Sequence, residues 1–136
     1  MDLTGLTIAQ IHKGLREKEF SALELAKAFL NRIEKENEKI LAFLTLTPQL
    51  ALSQAKEIDE KISKGEEIGF LAGVPCAVKD NILVKDVKCT AGSKILGNYL
   101  APYDATVIEK LKEGGGVILG KTNLDEFAMG SSTEHS

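Results

Sequence analysis

A chain of 136 residues, 43% of them hydrophobic and 27% charged, is one domain's worth of sequence with enough apolar material for a core. Seventeen Lys and Arg against twenty Asp and Glu give a net charge of -3, with both signs interspersed, which argues against a basic nucleic-acid-binding face. No apolar run approaches a membrane span, Asp2, Thr4 and Gly5 spoil a signal-peptide pattern, and the only two cysteines, Cys76 and Cys89, lack metal-ligand spacing. The expectation is a soluble cytoplasmic protein with reduced thiols and no metal site.

Thr7 and Gln10 form a Thr-x-x-Gln capping box ahead of Ile8, Ile11 and Leu15, predicting an amphipathic helix to about Lys18. Ser21 and Glu24 form a second box, followed by Leu25, Phe29 and Ile33 on one face and Arg32, Lys35, Glu36 and Lys39 largely off it. Leu41 to Thr47 is short and β-prone, and it stops at Thr47-Pro48, where Thr47 can be an N-cap and Pro48 the first helical residue. The third helix carries Ala51, Ala55, Ile58 and Ile62 on one stripe and stops near Gly65.

Gly69 to Asn81 carries an apolar run into a lysine. Val74, Cys76, Ala77 and Val78 suit a short buried strand with Pro75 at its start or on an edge, and Lys79 stands at its end. Desolvation there would favour a neutral amine and make Lys79 a candidate general base, although a strand-end lysine more commonly reaches into water. Residues 88 to 97 read as a loop with at most a helical turn. Asp104 is a suitable N-cap for a helix over Ala105 to Lys112, ended by glycines 114 to 116, and Val117 to Leu119 form a strand closing at Gly120-Lys121-Thr122. The order of elements predicts an α/β fold with a mixed sheet.

Gly115 to Thr122 formally matches a phosphate-binding loop, Gly, four residues, Gly-Lys-Thr. Its context is inverted, because a helix end precedes it and Val-Ile-Leu inside it call for burial as a strand. After it, Asn123 to Glu134 holds a turn or short helix and a small polar cluster, Gly130 to Thr133. These residues can donate to a ligand carbonyl or, as small polar loops more often do, satisfy their own backbone. His12 and His135 form no recognisable nucleophile pair with Cys76.

Gly73-Val-Pro-Cys-Ala-Val-Lys79-Asp-Asn, Lys88-Cys-Thr-Ala-Gly-Ser and Gly120-Lys-Thr-Asn-Leu-Asp-Glu-Phe-Ala-Met-Gly-Ser-Ser-Thr-Glu134 together resemble the amino-terminal part of an amidase signature enzyme, over essentially the whole chain. Asp125 to Thr133 resembles more narrowly the branch that serves tRNA-dependent amidotransferases. The resemblance implies a mixed sheet covered by helices and cut before it is complete, with a helical start over about 1-40 and a sheet-forming part over about 41-136 of a single amidase domain. It also implies a Ser-cisSer-Lys mechanism with Lys79 as the lysine and both serines in a later Gly/Ser-rich segment, so that this chain alone is expected to be inactive.

Met129, Gly130 and Ser131 match a region that lies near substrate in the family. Cys76 and His135 stand where an aliphatic residue and an asparagine are commoner. The implied reaction is hydrolysis of glutamine, with ammonia passed to a partner that uses ATP and Mg2+. The implied partners are the B and small C subunits of an amidotransferase, with tRNA bound through the partner and no cofactor in this chain. The rival expectations are a stand-alone amidase acting on another small amide, and a non-catalytic or nucleotide-binding fragment using Gly115 to Thr122. An open sheet edge would also leave the isolated chain partly stable or prone to associate.

Overall fold

A computed structural model describes residues 2-136. Helix α1 (Ile8–Arg16) starts at the Thr7/Gln10 capping box and α2 (Ala22–Ile40) at the Ser21/Glu24 box, with both reciprocal hydrogen bonds made in each. The start of α2 gains a second anchor: the Asp59 carboxylate accepts from the amides of Ala22 (2.7 Å) and Leu23 (3.0 Å), filling donors that a helix cannot satisfy itself. Strand β1 (Phe43–Leu46), helix α3 (Pro48–Ser63) and strand β2 (Pro75–Lys79) follow, and then helix α4 (Thr106–Glu113) and strand β3 (Val117–Thr122). Short 3-10 turns occupy Lys94–Leu96 and Glu126–Ala128.

The sheet order is β1-β3-β2, with β1 antiparallel and β2 parallel to the central β3, so the sheet is mixed as the order of elements predicts. Pro75 is both the first residue of β2 and on an outer strand, where its missing N–H removes no interior ladder bond. Alternation along β3 divides the core. Val117 and Leu119 face Leu15, Leu25, Ala51, Ala55 and Ile58 of the three leading helices, while Ile118 faces Val78, Val84 and Ile108 on the other side.

Gly73 and Gly120 are among the glycines that close approach requires. Gly73 has φ +76, and a Cβ there would stand 2.7 Å from a Leu15 methyl carbon. Gly120 pairs with Leu46 of the antiparallel β1, and a Cβ would drive into the Thr45 carbonyl.

Two expected caps are made differently. Thr47 precedes α3, but its hydroxyl donates to the Ile118 carbonyl (2.9 Å) and makes no cap bond, because its own N–H extends the ladder to Leu119 and buries the side chain against β3. Asp104 does not cap α4, whose N-cap is Ala105. Its carboxylate instead accepts from Lys112 Nζ (2.6 Å) and the Lys85 amide (2.7 Å). Burial pushes the Asp104 carboxyl up, and those two hydrogen bonds with the nearby lysine charges outweigh it, leaving the group below the usual aspartate range.

Candidate active-site segment

The β2–β3 ladder slips by one residue between Cys76 and Ala77, so that Ala77 pairs with Gly120, Val78 with Lys121 and Lys79 with Thr122. In the register set by Cys76 and Ile118, Lys79 would stand opposite Lys121. Because paired residues of neighbouring strands share a face, the slip sends the two lysines to opposite sides. Val78, Asp80 and Lys121 are buried, and Lys79 is exposed. The desolvation expected for Lys79 is therefore absent among the described residues; the enclosed lysine is Lys121, from the stretch that matches a phosphate-binding loop only in form.

Lys121 and Asp80 are both fully enclosed and form an ion pair at 2.9 Å. Lys121 Nζ donates also to the Lys88 carbonyl (3.2 Å), and the second Asp80 oxygen accepts from the Thr90 amide (3.1 Å) and, through a short contact, from the Thr90 hydroxyl. The Asp80 main chain is equally committed. Its N–H donates to the Thr122 carbonyl (3.0 Å), and its carbonyl accepts from the Ala91 amide (2.9 Å) and the Cys89 thiol (3.4 Å). A lysine spent in this way cannot reach a nucleotide phosphate, and β3 supplies a strand where a phosphate loop needs exposed amides. The nucleotide-binding alternative for Gly115 to Thr122 is thereby removed.

Met129, Gly130 and Ser131 lie in an exposed turn, with Met129 74% exposed. The turn is organised by Asp125, whose carboxylate accepts from the amides of Thr133 (2.9 Å), His135 (2.9 Å) and Ser132 (3.2 Å). The His135 amide, then that of Thr133, holds the Asp125 carboxyl below the ordinary range. Gly130 packs so closely on this carboxylate that a Cβ would overlap it. The amides of Ser132, Thr133 and His135 thus serve the loop itself, the commoner of the two uses open to such a cluster. Glu126 adds a contact to the 88-97 loop by accepting from the Ser93 hydroxyl at 2.5 Å.

Among the described residues no hydrogen bond joins Lys79 to Met129, Gly130 or Ser131. A relay of main-chain bonds connects their segments: Ala91 donates to the Asp80 carbonyl, and Phe127 donates to the Ala91 carbonyl (2.8 Å). Two clefts of about 490 and 500 Å3 lie along α1, the start of α2 and the end of α3, and their walls contain none of these residues. Cys76 and Cys89 are free, and burial pushes both thiols up, which disfavours thiolate chemistry. No cluster of three or more His, Cys, Asp or Glu is placed to hold a metal ion among the described residues. No described helix is long and apolar enough to cross a membrane.

Sequence reasoning missed Asp80, Thr90 and Lys121. The available signal was the alternation Val78-Lys79-Asp80: a buried valine two residues before an aspartate places that aspartate on the buried face, where it demands a cation.

The chain belongs to the amidase family, whose family model matches residues 24–136. Within that family it is 56% identical over its whole length to the A subunit of glutamyl-tRNA(Gln) amidotransferase from Carboxydothermus hydrogenoformans and 53% identical to the protein of that name from Natranaerobius thermophilus. It spans 28% of the length of each. Among solved structures, the native peptide amidase of Stenotrophomonas maltophilia superposes with a TM-score of 0.85 at 32% identity, over 90% of this chain and 26% of that one. A chain from a vestigial protein complex connected with the origins of an s-triazine catabolic enzyme superposes with a TM-score of 0.92 at 35% identity, over 96% of this chain and 29% of its own.

Proposed function

We propose that this chain is the lysine-bearing segment of a glutamine-hydrolysing amidase, 1-136 forming the amino-terminal portion of one amidase domain. The carrying observation is its 56% identity over all 136 residues to a stretch amounting to 28% of the A subunit of an amidotransferase. The exposed position of Lys79 supports the reading, because its amine remains available to a serine supplied by a segment outside residues 1-136.

In this reading the neutral Lys79 amine accepts a proton through a bridging serine, so that a nucleophilic serine attacks the side-chain amide carbon of glutamine. Collapse of the tetrahedral adduct breaks the C–N bond as the proton held by the lysine returns through the bridging serine to the leaving nitrogen, releasing ammonia and leaving an acyl-serine. Water, giving a proton to the same relay, then attacks the ester, and return of that proton to the serine oxygen releases glutamate. Met129, Gly130 and Ser131 lie beside the substrate in this scheme.

Ammonia passes to a partner B subunit, supported by a small C subunit, where ATP and Mg2+ activate the carboxylate of Glu-tRNA(Gln). The ATP site belongs to that partner, tRNA is reached through it, and the assembly works in the cytoplasm. The test is glutaminase activity of the full-length protein, of its Lys79→Ala variant and of residues 1-136 alone. Activity in the full-length protein alone, lost on substitution, is the expected result. Activity in residues 1-136 would mean that the nucleophile lies among them, and efficient turnover of another small amide in preference to glutamine would favour a stand-alone amidase.

A further inference from the structure

We propose that the buried Asp80–Lys121 pair, latched by Thr90, is a positioning device for Lys79; this rests on the reading of Lys79 as the catalytic base. Neither residue touches substrate in this scheme. A buried ion pair gives little net stability compared with an apolar pair of similar volume, so stability alone is a poor reason to place a fully enclosed lysine against a fully enclosed aspartate. What such a pair supplies is direction.

Both peptide groups of Asp80 are fixed, the first by the Thr122 carbonyl and the second by Ala91 and Cys89. The first of these is the peptide joining Lys79 to Asp80, and the Lys79 carbonyl is itself held by the Ile82 amide at 3.0 Å. The Asp80 side chain adds Lys121 from β3 and Thr90 from the loop. Thr90 in turn accepts from the Gly92 amide (3.2 Å), and Ala91 carries the connection to Phe127, two residues before Met129. One carboxylate therefore fixes the direction in which the backbone presents Lys79 and sets the loop that leads to the Met129 turn. A misplacement of a reacting group by about 1 Å can cost on the order of a hundredfold in rate.

The test uses the full-length protein in its assembly, with kcat and KM for glutamine measured beside melting temperature. Thr90→Val removes the hydroxyl donor to Asp80, and Thr90→Ser retains it. Asp80→Asn combined with Lys121→Met removes both charges together and leaves no lone buried ion. The expected result is a fall in kcat of about tenfold or more for Thr90→Val and for the double variant, with KM within about threefold and kcat of Thr90→Ser within about twofold of the parent. Unchanged kcat in folded Thr90→Val and double variants overturns the proposal, as does a loss that Thr90→Ser shares. Parallel collapse of melting temperature and activity in all three assigns the network to folding alone and also overturns it. Lys79→Ala, assayed alongside, separates the two readings: full activity there removes the catalytic assignment itself, whereas inactivity there with unaffected network variants removes only the positioning role.

Discussion

Val78 and Lys121 face each other across β2 and β3 because the ladder slips by one residue above Cys76. The slip separates two lysines that the regular register would have set side by side, turning one to the surface and the other into the protein. Gly120 is central to this arrangement, since it pairs with Ala77 on one side and tolerates the Thr45 carbonyl on the other. The buried lysine is then neutralised by the aspartate that follows the exposed one.

That relationship predicts non-additive stability. Lys121→Met alone leaves the Asp80 carboxylate enclosed without its cation, and Asp80→Asn alone strands the ammonium; each is expected to destabilise the full-length protein by about 3–5 kcal/mol. The double variant is expected to lose much less than the sum, because no uncompensated charge remains. Denaturant unfolding of the four proteins checks this, and additive losses would show that the two charges do not depend on each other.

Much of the architecture was legible because it rests on local rules. Capping boxes at Thr7 and Ser21, the apolar stripes that follow them and the Pro75 strand start depend on neighbours three or four residues apart. Thr47 and Asp104 misled for the opposite reason. Each has good N-cap chemistry, but partners far along the chain, Ile118 for one and Lys85 with Lys112 for the other, claim the side chain instead. The candidate site divides in the same way. Lys79 is readable from its strand, whereas its exposure depends on a register slip that only the paired strands reveal.

Asp125 gives a pH dependence with a definite sign. Hydrogen bonds from His135, Thr133 and Ser132 hold its folded-state pKa below the unfolded value of about 4, so the unfolded chain binds the proton more readily. The contribution is present above the unfolded pKa and is lost as pH falls through the lowered folded value. Amide exchange at Ser132, Thr133 and His135, corrected for the intrinsic pH dependence, should therefore lose protection on acidification below about pH 4. Asp125→Asn should show reduced protection at these amides already at neutral pH. Equal protection in both proteins would deny the carboxylate its role in shaping the Met129 turn.

The sheet itself predicts how residues 1-136 behave in isolation. β2 pairs with β3 on one side only, leaving the other edge open among the described residues. The run from Ile95 to Tyr103 also exposes Ile95 (83%), Leu100 (56%) and Tyr103 (61%), apolar surface of the kind that promotes association. An open strand edge and exposed apolar side chains each favour pairing between copies. The isolated chain is therefore expected to sediment above monomer mass at micromolar concentration. Ala77→Lys, which places a charge on an exposed position of β2, should shift it toward monomer without lowering its melting temperature substantially. A monomer that unfolds cooperatively without that substitution would mean the open edge is protected by its own twist and short length.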